Sequence, residues 1–121
     1  MKTLHTPAHI AAYVDVLGAK GTVEFLLTFG GAELYLAEAP TERSQVVKSI
    51  GMELAIALAK EASDRDLPRR VPTAKPWLAA MLSQEGLPVS QIARKLHVSD
   101  VTVRAYLKRA KPADDRQLPL I

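Results

Sequence analysis

The sequence predicts a mainly α-helical chain, with an amino-terminal helical domain carrying one short β-strand and a carboxy-terminal helix-turn-helix domain. Three observations lead there. Apolar residues recur every three to four positions over most of the chain, as in Ile10, Tyr13, Val14 and Leu17, which is the period of a helix with one buried face. One stretch departs from that period: in "FGGAELYLAE", Phe29 to Glu38, apolar and polar residues alternate, as they do along a half-buried strand. Near the end, two short apolar-periodic segments are separated only by "HVS". At 121 residues the chain can bury a modest core but not the deep lined cavity of a large enzyme.

Taken in order, Pro7 is placed in the first turn of a helix that Gly18 ends. A second helix runs from about Ala19 to Phe29 with Val23, Leu26 and Leu27 inward, and Gly30-Gly31 supplies the left-handed turn that stops it. The strand, near residues 32–37, follows at once. A single strand cannot satisfy its own backbone hydrogen bonds, so it requires a partner. Thr41 is the expected N-cap of the next helical stretch, in which Val47, Ile50, Leu54 and Leu58 keep helical spacing to about Ala62. At an offset of 33 residues Val14 falls on Val47, Leu17-Gly18 on Ile50-Gly51 and Leu34 on Leu67. Each unit reads as short helix, glycine break, second helix and extended piece. Residues 63–75 then concentrate prolines and basic residues without periodicity and read as a linker. The expected organisation is 1–62 as the helical domain, 63–75 as linker, 76–110 as helix-turn-helix and 111–121 as a loosely ordered tail.

The bulk numbers narrow the function. No apolar run approaches the roughly 18 residues of a membrane span. The start of the sequence shows no secretory h-region, and the absence of cysteine excludes disulfides and thiol catalysis and fits a reducing cytoplasm. The net charge of +3 is unevenly spread: residues 1–62 hold five Lys/Arg against seven Asp/Glu, and residues 63–121 hold eleven against six. A polyanion such as nucleic acid is the partner that the second half attracts.

From Pro76 onward, Trp77, Leu78, Met81 and Leu82 form one apolar face, and Gly86 closes that helix. A short helix, Val89 to Leu96, turns Ile92, Ala93 and Leu96 inward. Ser99 caps a last helix running from Asp100 to about Arg109. Two short helices crossing over a tight turn need a small side chain at their closest approach, which Ala93 supplies. His97 stands where glycine is common because the backbone there tends to positive φ. The last helix then presents Asp100, Val101, Thr102, Arg104, Ala105 and Lys108 outward, able to reach base edges and phosphates of double-stranded DNA. Arg104 is the residue expected to read guanine. Val101 and Thr102 suit a thymine methyl or a phosphate, and Lys108, Arg109 and Lys111 suit phosphates. Asp100 complements the helix dipole beside the Ser99 cap. Arg69 and Arg70 in the linker are placed to follow the DNA backbone.

Other constellations carry less. His5 and His9 have helical spacing for a metal, but Pro7 lies between them and no third ligand is near. "GAKGT", residues 18–22, lacks the glycine and lysine order of a phosphate loop. Glu33 and Glu38, an odd number of residues apart, point to opposite faces of a strand. No nucleophile, base and pocket combine, so neither enzymatic activity nor a metal or cofactor is expected.

With Gly30-Gly31 followed by Leu34-Tyr35-Leu36, doubled helical units and a terminal helix-turn-helix, residues 13 to 110 resemble the Mor transcription activators of bacteriophages and prophages. In that family the amino-terminal helices and strand form a dimerisation domain, and the helix-turn-helix binds DNA near a promoter and helps to engage host RNA polymerase. The resemblance implies a cytoplasmic, nucleoid-associated homodimer in a bacterial host, held together through Leu34, Tyr35 and Leu36 of paired strands with Leu26 and Leu27 beneath. The sequence departs from the family where Ala37, Glu38 and Ala39 intervene before Pro40, and where Ser63-Asp64 replaces the glycine pair in the second unit. The rival expectation is a protein-interaction adaptor, such as a phage inhibitor of a host protein, docking through the helical hairpin.

Overall fold

A computed structural model describes residues 5–110, and the chain divides into two compact units. Residues 8–73 form the amino-terminal unit; residues 74–110, with the segment 5–7, form the carboxy-terminal one.

In the amino-terminal unit a single 3-10 turn, Ala8–Ile10, leads into α1, Ala11–Phe29, and Pro7 lies just outside the helical turn it was expected to open. Helix α1 is two helices joined at Gly18, whose φ of 76° and ψ of 167° no helix contains. Helix α2, Gln45–Ile50, meets α3, Met52–Asp64, at Gly51, where φ is 89° and ψ 162°. The two glycines stand 33 residues apart and share one backbone conformation, so the internal repeat is a repeat of structure. Burial repeats with it. Tyr13 and Val46, Thr22 and Ala55, Phe25 and Leu58, and Leu26 and Ala59 are all buried at matching positions. The two halves meet where α1 packs on α3. Tyr13 and Phe25 stack at a tilt, 5.6 Å between ring centroids, and burial pushes the Tyr13 phenol up, so it stays neutral inside the core. The Thr22 hydroxyl, fully buried, donates back to the Gly18 carbonyl at 2.7 Å.

Several expectations require correction. The N-cap of α2 is Ser44, not Thr41: Ser44 Oγ accepts from the amides of Val46 and Val47, while the Thr41 carbonyl accepts the Ser44 amide in the preceding turn. Leu54 is 39% exposed, because the break at Gly51 resets the helical phase and gives the inward face of α3 to Ala55, Leu58 and Ala59. Leu27 is half-buried.

The alternating segment after Gly31 is extended but does not form a regular strand. It makes one isolated antiparallel bridge, Glu33 to Arg70. Around that bridge the Gly31 amide donates to the Val71 carbonyl, the Val71 amide to the Ala32 carbonyl, and the Leu34 amide to the Arg69 carbonyl, at 2.8 to 2.9 Å. The partner that the sequence demanded is thus the extended piece of the second repeat in the same chain. Residues 63–75 are correspondingly not a free linker. Ser63 and Asp64 end α3, Arg69 to Val71 pair with the first repeat, Val71 is buried, and Lys75 already lies in the next helix. Arg65 reaches back to Asp15 at 2.7 Å and to Glu61 at 2.8 Å, and its hydrogen bond to Asp15, first among these contacts, holds the guanidinium above its ordinary pKa.

The carboxy-terminal unit contains α4, Lys75–Gln84, α5, Val89–Leu96, and α6, Asp100–Arg109, each packed on the other two. Trp77, Leu78, Ala79, Ala80 and Leu82 from α4 close its core over Ile92, Ala93, Leu96 and Val103. Among the described residues, no helix is long and apolar enough to cross a membrane.

Candidate nucleic-acid interface

Helices α5 and α6 have the boundaries that the spacing predicts, and the turn between them explains why. His97 ends α5 in the left-handed conformation, φ 58° and ψ 46°. That residue lets the Val98 amide fold back onto the Ala93 carbonyl at 3.1 Å, satisfying one of the open carbonyls at the helix end. Ala93 itself is buried between the helices, where any larger side chain would separate them. Ser99 then opens α6: its Oγ accepts the Thr102 amide at 3.1 Å and lies 2.9 Å from the Thr102 hydroxyl. Asp100 sits in the first turn, where its carboxylate complements the helix dipole.

Helix α6 is held by one fully buried residue, Val103, with Tyr106 and Leu107 half-buried along the same side. The opposite side is free. Asp100, Val101, Arg104, Ala105, Lys108 and Arg109 are exposed, and Val101 is 72% exposed although it is a large apolar residue. A single exposed apolar side chain needs no cover, but at the first turn of a basic helix it offers a contact for an apolar group. A thymine methyl in a major groove has the right chemistry. Arg104 and Lys108, four residues apart, project from one stripe of the helix, while the Arg109 guanidinium rests 5.9 Å from the Tyr106 ring centre.

The structure assigns other residues differently. Thr102 is half-buried and tied to the Ser99 cap by both amide and hydroxyl, so it supports the helix start. Arg69 and Arg70 belong to the amino-terminal unit. Arg70 donates to the Gly31 carbonyl at 2.6 Å and stands 3.5 Å from Glu33, and the Arg69 guanidinium lies 5.5 Å from the Tyr35 ring centre. The local composition signalled basic residues but not these partners, which are 34 to 39 positions away in sequence. Lys111 lies outside the described residues.

Two exposed cations escaped the sequence reading: Arg94 and Lys95, in the last turn of α5 next to the tight turn. The signal was the position of α5, since the first helix of such a pair crosses the phosphate backbone. With them, residues 74–110 hold six Lys/Arg against two Asp/Glu, net +4, whereas residues 8–73 hold seven against nine, net −2. The charge boundary therefore coincides with the boundary between the units.

The cap fixes how well α6 is set. Ser99→Ala is expected to cost the carboxy-terminal unit about 0.5–2 kcal/mol by leaving the Thr102 amide without its acceptor. Urea unfolding followed by fluorescence of Trp77, the sole tryptophan, reads this directly, and an unchanged midpoint would remove the cap from the account.

Residues 81–112 match the family model described as Sigma-70, region 4, while no curated protein and no solved structure matches the chain. The match spans the end of α4, all of α5, the turn and all of α6. Geometry, charge and this similarity make the carboxy-terminal unit a helix-turn-helix of the DNA-binding class used in transcription.

Proposed function

We propose that this chain is a sequence-specific transcriptional regulator that lays α6 in the major groove of double-stranded DNA close to a promoter. The observation that carries the reading is the outer face of α6: exposed Val101, Arg104, Ala105 and Lys108 on a helix whose start is fixed by Ser99 and whose other side is buried through Val103. Arg104 reads a guanine edge, Val101 covers a thymine methyl, and Lys108, Arg109, Arg94 and Lys95 neutralise phosphates. The resemblance to the Mor activators of phages and prophages adds action beside host RNA polymerase, supported by the Gly30-Gly31 and Leu34-Tyr35-Leu36 element and by the doubled helical units. The resemblance also carries a homodimer formed through the amino-terminal unit, in which the extended segment, bonded within the chain along one edge through Gly31, Ala32 and Leu34, contributes its surface around Tyr35.

The test is titration of the protein into duplex DNA from around its own gene, beside a scrambled duplex, at about 150 mM salt and at lower salt. Tight binding to the native fragment alone is expected. Retention that hardly changes with salt would point instead to a protein-docking adaptor, because phosphate contacts make log affinity fall linearly with log salt. Arg104→Ala is expected to relax discrimination at one base pair by about 1–3 kcal/mol. Lys108→Ala is expected to weaken binding evenly across sequences and to lower the salt slope by about one. If both variants bound every sequence like the parent, α6 would not be the reading helix.

A further inference from the structure

The carboxy-terminal unit carries a groove that its own core does not fill. Pro7, Pro76, Trp77, Ala80 and Tyr106 give it apolar walls around a volume of about 460 Å³. Helices α4 and α6 bring the two aromatic rings to it, and the segment 5–7 of the same unit adds Pro7. Arg109 also lines the groove, its guanidinium 5.9 Å from the Tyr106 ring centre. A groove walled by aromatic rings suits a proline-containing extended segment, because proline orders the backbone before binding and so lowers the entropy lost on docking.

The chain supplies such a segment at the edge of the groove. Ala110, which ends α6, lines it and has left helical geometry, with φ −81° and ψ 104°. Residues 111–121, which lie outside the described residues, follow with the sequence KPADDRQLPLI. Pro112 disfavours continuation of the helix. Pro119 biases Leu118 toward extended backbone, in which Leu118 and Leu120, two positions apart, share one side. Eight residues separate Leu118 from Ala110, a reach of up to about 26–29 Å, ample for a return to a groove that Ala110 borders. The residues ahead of His5, which lines the groove as well, carry Lys2 and neither a carboxylate nor a proline, so they suit a groove lined by Arg109 less well.

Resting on the reading of α6 above, we propose that residues 111–121 fold back and seat Leu118, Pro119 and Leu120 in this groove, as an internal restraint on DNA binding. Seated there, the segment occupies the surface of Arg109, which a phosphate otherwise takes, and holds the Asp114 and Asp115 carboxylates beside the last turn of α6, where they repel the DNA backbone. Lys111 and Arg116 offset those two charges in sum, so the apolar end is what seats the segment. A restraint that covers the groove in about nine of ten molecules lowers the apparent affinity for DNA about tenfold.

The experiment compares the full chain with a full-length variant carrying Leu118→Ser and Leu120→Ser together, which removes the apolar end and leaves the charge unchanged. Trp77, the sole tryptophan, reports on the groove, and titration with duplex DNA from around the chain's own gene reports on the restraint. In the variant, Trp77 emission is expected to move to the red with stronger acrylamide quenching, and DNA to bind about tenfold more tightly. A synthetic peptide of residues 111–121, added at about 1 mM to match the effective concentration of a short tether, is expected to reverse both changes. Identical Trp77 emission and quenching in parent and variant would overturn the proposal. So would a difference that vanishes on dilution, since the seated segment would then come from a second copy. A Trp77 change with unaltered DNA affinity would overturn the restraint. Absence of DNA binding by both proteins, with the Trp77 change intact, would overturn the reading of α6 and the restraint with it, and would establish the seated segment.

Discussion

Phe25→Ala is expected to destabilise the amino-terminal unit by about 3–5 kcal/mol, and Leu58→Ala, at the matching place in the second repeat, by about 2–5 kcal/mol. Both side chains are fully buried, and the Phe25 ring lies 5.6 Å from that of Tyr13 and 4.9 Å from that of Phe29. Removing the ring forfeits the transfer energy of its atoms and leaves a cavity that helices pinned by two glycine breaks cannot close. At roughly 0.05–0.15 kcal/mol per residue, a unit of about 66 residues has some 3–10 kcal/mol to lose, so either change brings it close to unfolding. Circular dichroism during urea unfolding should show the loss. Trp77 lies in the other unit, so its fluorescence midpoint is expected to stay where it was. A cost below about 1 kcal/mol at both positions would mean that α1 and α3 do not share one core.

Gly18→Ala and Gly51→Ala are expected to cost about 1–3 kcal/mol each, although a Cβ at either position would have nothing within 4 Å. Ordinarily a glycine exchanged for alanine within a helical stretch gains about 1 kcal/mol. The sign reverses here because φ of 76° or 89° combined with ψ near 165° is a region that essentially only glycine enters. The cost is carried by the backbone alone, so the two variants should lose similar amounts. Thermal melts of the pair measure it, and a gain in stability at either site would contradict the break.

Much of this was legible in the chain. Helices α5 and α6 could be bounded to the residue because a small side chain, a tight turn and a serine cap fall within seven positions, Ala93 to Ser99. The repeat was legible because Leu17-Gly18 and Ile50-Gly51 recur at one offset, each glycine interrupting an apolar-periodic stretch where a conformation open to glycine breaks the helix. What escaped was non-local or degenerate. Thr41 and Ser44 are both good caps, and the choice depends on which oxygen meets the free amides of the first turn. The pairing of Gly31 to Leu34 with Arg69 to Val71 joins residues 35 to 40 positions apart, and alternation along one segment names no partner. For the same reason Arg69 and Arg70 read as free cations, when Tyr35, Glu33 and the Gly31 carbonyl occupy them.

In an interface between identical subunits every residue must serve two places at once, so a substitution that suits one side is imposed on the other. The intrachain repeat removes that constraint. Val23 is buried, while its counterpart Ile56 is 46% exposed; Tyr13 fills a core position where Val46 suffices in the second half. Thr22 carries a hydroxyl bonded to the Gly18 carbonyl, whereas Ala55 carries none. Each mutation in this core is therefore felt once rather than twice, and the two halves are free to diverge toward different tasks while the glycines keep them in register.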